Sequence, residues 1–255
     1  MDEFVKVWKE NEFKMLPSFL AFYMLQSLFP SLSIILILTR IFNVPDEVLL
    51  SIISGLLPNV SSLKILEFLQ NNINEGFSIV INIFSIHIIA RAIKKISYSI
   101  NKIYKLPQLS FIYSYLKAYV FTFLLLISTS ILITIIFTFT YYFQSMLTSI
   151  ILYPILIIYL FVVLLTMFHF LPSIRQKYQD IYPGALIVSV LIALLLSILP
   201  ILNNKFIRFD SIYGSLSWIM VLLFLMHVIA YLIYLGILLN SIYVRKRTAI
   251  YIHKK

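Results

Sequence analysis

The chain has 255 residues with a mean hydropathy of +0.99; 61% of the residues are hydrophobic and 12% charged, about half the charged share of a soluble domain. That composition excludes a water-soluble fold, whose surface could not absorb so much apolar side chain, and the absence of cysteine removes disulfides, thiolate metal sites and cysteine nucleophiles. The net charge of +10 raises nucleic acid as a partner, but the bases fall where membrane topology places them, so none is expected.

Residues 1–15 mix acids and bases with Phe4 and Trp8 one helical turn apart, which predicts a short interfacial helix. The charged lead is too long and too acidic for a signal peptide. Six apolar stretches follow, at 16–39, 76–90, 118–140, 148–171, 184–202 and 215–239, and most have the roughly 20 residues that cross about 30 Å of hydrocarbon. The second is short. It is expected to continue as an amphipathic helix to residue 104, with Arg91, Lys94, Lys95, Tyr98 and Lys102 on one face and Ile93, Ile96, Ile100 and Ile103 on another. A helix over 77–104 is about 42 Å long and stands clear of the bilayer. Leu106-Pro107 ends it, and Ser110 caps the next. Between the first two stretches, Pro45-Asp46-Glu47 and Ser61-Ser62 open two apolar stripes that predict short amphipathic helices over 40–75.

Of the 20 Lys and Arg, all but Arg40, Lys64, Lys205 and Arg208 fall before the first stretch, between the second and third, between the fourth and fifth, or after the sixth. This bias places both termini in the cytoplasm. The expectation is an all-α polytopic membrane protein, a single domain of six transmembrane helices with additional interfacial helices at 1–15 and 40–75. A basic helical extension covers 91–117 and a basic tail 240–255.

Polar groups at depth are costly in lipid, so they mark candidate sites. No Asp or Glu lies in any span, which leaves general acid–base and metal-assisted hydrolysis without their usual parts. Gln26 and Ser27 precede Pro30, which frees a backbone carbonyl and kinks the helix; Pro154 does the same in the fourth span. Gln26, Ser27, Asn82, His87 and His227 are candidates for a substrate pathway, although Gln26 and Ser27 serve equally well as glue between helices. Arg91, Lys94, Lys95 and Lys102 are candidates for lipid head-group contact, and they also set topology. His87, His169 and His227 sit at different heights and read as interhelical hydrogen-bonding groups rather than a metal site. An enzyme would need those histidines, or Asp46, Glu47 and Asp210 in the loops, to converge. No catalytic residue, cofactor or metal is expected; membrane lipids, anionic phospholipids among them, are the expected partners. No P-loop, GxSxG, GxGxxG or HExxH motif is present.

Several stretches together resemble the YihY/BrkB family of bacterial inner-membrane proteins, once labelled ribonuclease BN. They are Leu20-Ala-Phe-Tyr-Met-Leu-Gln-Ser-Leu-Phe-Pro30, Ser99-Ile-Asn-Lys-Ile-Tyr104, Leu171-Pro172 with Pro183-Gly184-Ala185, Ser211-Ile-Tyr-Gly-Ser-Leu216, and Leu235-Gly236 through Asn240. They occur in family order along nearly the whole chain. The family's closing Glu falls on Leu238 here, so no role can rest on that carboxylate. The resemblance implies a cytoplasmic-membrane protein concerned with envelope-lipid or solute transport, or a non-transporting scaffold or assembly factor; the residues give the nuclease label no support.

Overall fold

The computed structural model describes residues 17–27, 31, 34, 77–142, 147–205 and 217–252, and all of its regular structure is helical. We label residues 17–27 α1, Phe77–Tyr104 α2, Phe111–Tyr142 α3, Leu147–Phe170 α4, Tyr178–Lys205 α5 and Ser217–Ile252 α6. The expected helices over 1–15 and 40–75, and with them Pro30, Asp46, Glu47 and Asp210, lie outside the described residues.

Four stretches are long and apolar enough to cross a membrane: Phe111–Phe139, Leu152–Phe170, Tyr178–Ile198 and Val221–Val244. They coincide with the third to sixth expected spans, each with shifted ends. Their outer faces are built of large apolar side chains, among them Leu124, Ile127, Ile131, Ile158, Val162, Leu194 and Phe224, all exposed. An exposed surface of this kind calls for hydrocarbon around it rather than water.

Each of α2 to α6 packs against the next of these helices, α2 on α3, α3 on α4, α4 on α5 and α5 on α6, with α6 returning to α2. The core runs through this circuit on Phe121, Phe168, Leu126, Val188 and Ile237.

The second helix runs from Phe77 to Tyr104, as its pattern predicts. Ile93, Ile96, Ile100 and Ile103 on its basic half are buried in the common core, and residues 105–110 separate the end of α2 from the start of α3. The helix closes at Tyr104, just ahead of Leu106-Pro107. Leu106 N–H donates to Asn101 O (2.8 Å), Lys105 N–H donates to Lys102 O (3.3 Å), and Lys105 has φ = 57°, the paired bonds of a Schellman turn. Lysine occupies the left-handed position that glycine fills at least cost. Lys105→Gly should therefore raise stability by about 0.5–1 kcal/mol, read as a higher midpoint of thermal unfolding in detergent; a lower midpoint would show that the lysine side chain matters more than its backbone strain.

Candidate functional site: a cation-lined cleft

One end of the bundle gathers the second half of α2, the first turns of α3, the α4–α5 connection and the later half of α6, because hydrogen bonds tie these segments together. Ser97 Oγ donates to Leu171 O (2.8 Å), Ser173 N–H donates to Asn101 Oδ1 (2.8 Å), and Lys117 Nζ donates to Pro172 O (2.8 Å). Gly184 N–H donates to Asn240 Oδ1 (2.9 Å), in the turn where Pro183 interrupts the helical ladder. Asn101 is 1% exposed and Asn240 0%; the Gly184 N–H that Asn240 accepts is buried, and the Ser173 N–H that Asn101 accepts is half-buried. Gly184 and Gly236 face each other at the α5–α6 crossing, and a Cβ at Gly184 would collide with the Asn240 side chain and come within 2.5 Å of Gly236 O. Tyr104 is buried beside Asn240; burial pushes its phenol well above the ordinary tyrosine range, and the Asn240 amide offsets part of this.

This polar node joins the elements that carry the family resemblance. Asn101 and Tyr104 come from the second of those stretches, Leu171, Pro172 and Gly184 from the third, and Gly236 and Asn240 from the last. They hold helices together. Leu238, standing where the family has Glu, is 1% exposed in the apolar core.

A cleft of about 280 Å³ opens at the same end, lined by Tyr23, Arg91, Lys94, Lys95, Tyr98 and Tyr115. Arg91 and Lys94 lie three apart on α2, and Lys94 and Tyr98 four apart, so one helix face presents them together. Each cation rests on an aromatic ring. Lys94 Nζ sits 3.7 Å from the Tyr115 ring centroid and 4.1 Å from that of Phe111; Lys95 Nζ sits 5.1 Å from Tyr98 and 5.3 Å from Phe19; the Arg91 guanidinium lies 5.7 Å from Tyr23. These contacts hold the charges in place and leave their remaining N–H donors for a ligand. Among the described residues no carboxylate lines the cleft, and Asp180 on α5 is the one Asp or Glu.

Of the four bases expected at lipid head groups, Arg91, Lys94 and Lys95 line this cleft, while Lys102 lies farther along α2 with its Nζ 6.0 Å from the Tyr98 ring. His87 is adjacent. Its ring stacks on Tyr115 (5.7 Å, 13°) and its Nδ1 is 2.6 Å from Tyr119 Oη. Of the other pathway candidates, Gln26 is exposed, Ser27 Oγ donates to Met24 O (2.9 Å) and His227 meets Tyr231 edge-on at 4.9 Å; the Asn82 side chain lies outside the described residues. His169 pins the α4–α5 connection. Its Nδ1 is 2.7 Å from Gln176 O, and because a carbonyl only accepts, that nitrogen carries the proton; its ring stacks on Tyr178 at 4.4 Å. Among the described residues no three of His, Asp or Glu come together to hold a metal.

Sequence reasoning missed the aromatic partners. The spacing of Lys94, Tyr98 and Lys102 was the available signal that ring and cation share a face.

These features define an all-helical membrane protein with an anion-attracting cleft at one end. The family model for virulence factor BrkB matches residues 4–254, and the chain belongs to that family. No curated protein and no solved structure matches the chain.

Proposed function

We propose that the chain is a six-span protein of the bacterial cytoplasmic membrane, with both termini in the cytoplasm, that binds and moves lipids of the cell envelope. One observation carries the reading: Arg91, Lys94 and Lys95 line a cleft at the end of a bundle whose sides are apolar. A lipid needs such a pair of surfaces, since its phosphate seeks cations and its chains seek hydrocarbon. The bias of Lys and Arg toward that end supports a cytoplasmic orientation. The reading is non-enzymatic, consistent with apolar stretches that carry a single acid among the described residues, Asp180 in the first turn of α5.

A non-transporting scaffold is the second reading, favoured by the close packing of α5 on α6 at Gly184 and Gly236. Vesicles reconstituted with the full chain separate the two. Labelled phospholipids should reach the opposite leaflet faster than in empty vesicles, and the Arg91→Gln/Lys94→Gln/Lys95→Gln variant should lose most of that excess. Rates equal to empty vesicles for phosphatidylethanolamine, phosphatidylglycerol and phosphatidic acid alike would reject lipid movement and leave the scaffold.

A further inference from the structure

Resting on the lipid-handling reading, we infer that the cleft selects a phosphomonoester or diphosphate head group over a phosphodiester or a zwitterion. The argument starts from charge. Arg91, Lys94 and Lys95 bring three formal positive charges to one cleft, and none of the six lining residues is acidic. A phosphodiester carries a single negative charge and leaves two of the cations unbalanced. A phosphomonoester carries up to two and a diphosphate up to three, so both approach neutrality. The ammonium of phosphatidylethanolamine would add a further positive charge to a site already rich in them.

Geometry narrows the ligand further. At about 280 Å³ the cleft lies just below the roughly 300–1,000 Å³ of sites that engulf a drug-sized molecule, which suits a head group and excludes a whole lipid. Tyr23, Tyr98 and Tyr115 share the lining, and a phenol O–H donates to a phosphate oxygen without adding charge. Because the cations already rest on ring faces, ordering them on a ligand costs less side-chain entropy than recruiting free lysines.

Depth accounts for a tethered ligand. The apolar stretch Phe111–Phe139 is about 43 Å long, more than the roughly 30 Å of hydrocarbon. Charged groups at its Phe111 end, Lys94 against the Phe111 ring and Lys117 on α3, fix that end outside the hydrocarbon. The cations therefore stand at head-group level, beside the exposed Phe111, Ile112 and Tyr113.

The test uses the purified full chain in phosphatidylcholine nanodiscs containing equal amounts of phosphatidic acid, phosphatidylglycerol and phosphatidylethanolamine. Lipids retained after release into detergent are identified by native mass spectrometry. Phosphatidic acid should be retained about fivefold or more over phosphatidylglycerol, with phosphatidylethanolamine last; Arg91→Gln/Lys95→Gln should bring the first two to parity, while Lys177→Gln, outside the cleft, should not. Equal retention on the unmodified chain overturns the inference without recourse to any variant, and so does a preference that survives the double substitution. Glycerol 3-phosphate and inorganic phosphate, titrated against the detergent-solubilised chain, identify the source of the phosphate. Binding of glycerol 3-phosphate with no lipid retained keeps the phosphomonoester assignment and overturns lipid handling. Translocation in vesicles without a monoester preference keeps lipid handling and overturns the assignment.

Discussion

Gly184→Ala should cost the detergent-solubilised chain about 2–4 kcal/mol, the sum of overpacking and a weakened buried hydrogen bond. The added methyl would lie against the Asn240 side chain and 2.5 Å from Gly236 O. The first obstacle is a side chain held by its bond to Gly184 N–H, and the second is backbone, so neither yields cheaply. Gly236→Ala should cost less, about 1–2 kcal/mol, because its methyl would first meet Val188 Cγ2 at 2.7 Å, and that side chain can rotate. Thermal loss of the monodisperse species by size exclusion measures both variants. If Gly236→Ala proved the more damaging, the packing account of the α5–α6 crossing would be wrong. Small residues at a close helix crossing are the usual means by which membrane helices approach, since lipid offers no hydrophobic drive to press them together.

The second large effect is expected at Asn240. Asn240→Ala strips the acceptor from a buried amide and should cost about 1–3 kcal/mol. The same substitution removes the nearest obstacle to a methyl at position 184, so the two changes should not add: the Gly184→Ala/Asn240→Ala variant should be more stable than the sum of the single losses by at least about 1 kcal/mol. Asn101→Ala orphans Ser173 N–H on a separate partner and should combine additively with Asn240→Ala. Unfolding midpoints for the four-variant cycle decide the point, and strict additivity at 184 and 240 would mean that the two side chains do not meet.

Much of the architecture was legible because lipid imposes simple rules. Hydropathy marks the third to sixth spans, and the isoleucine stripe with Pro107 marks the limits of α2. Where prediction and structure part, tertiary contacts decide. Pro183 and Gly184 read as the threshold of the fifth span, yet α5 begins at Tyr178 and carries both inside it, with Asn240 meeting the amide of Gly184. The bases of the cleft were visible as a charged face on α2; Tyr23 and Tyr115 were not, since they arrive from helices remote in sequence. The polar node was invisible for the same reason. Asn101 and Ser173 are 72 positions apart and Gly184 and Asn240 are 56, and no local pattern announces such pairings. The resemblance nevertheless picks out Asn101, Gly184 and Asn240, without indicating that their work is to join helices.

The sixth helix has a mechanical consequence. Its 36 residues run from Ser217 to Ile252 without a proline, a rod of about 54 Å against about 30 Å of oily interior. Its apolar stretch ends at Val244, and the helix runs on as an arm to Ile252, in one piece with Gly236 at the crossing. A force applied to that protruding arm would reach the α5–α6 contact as leverage with no intervening joint to absorb it.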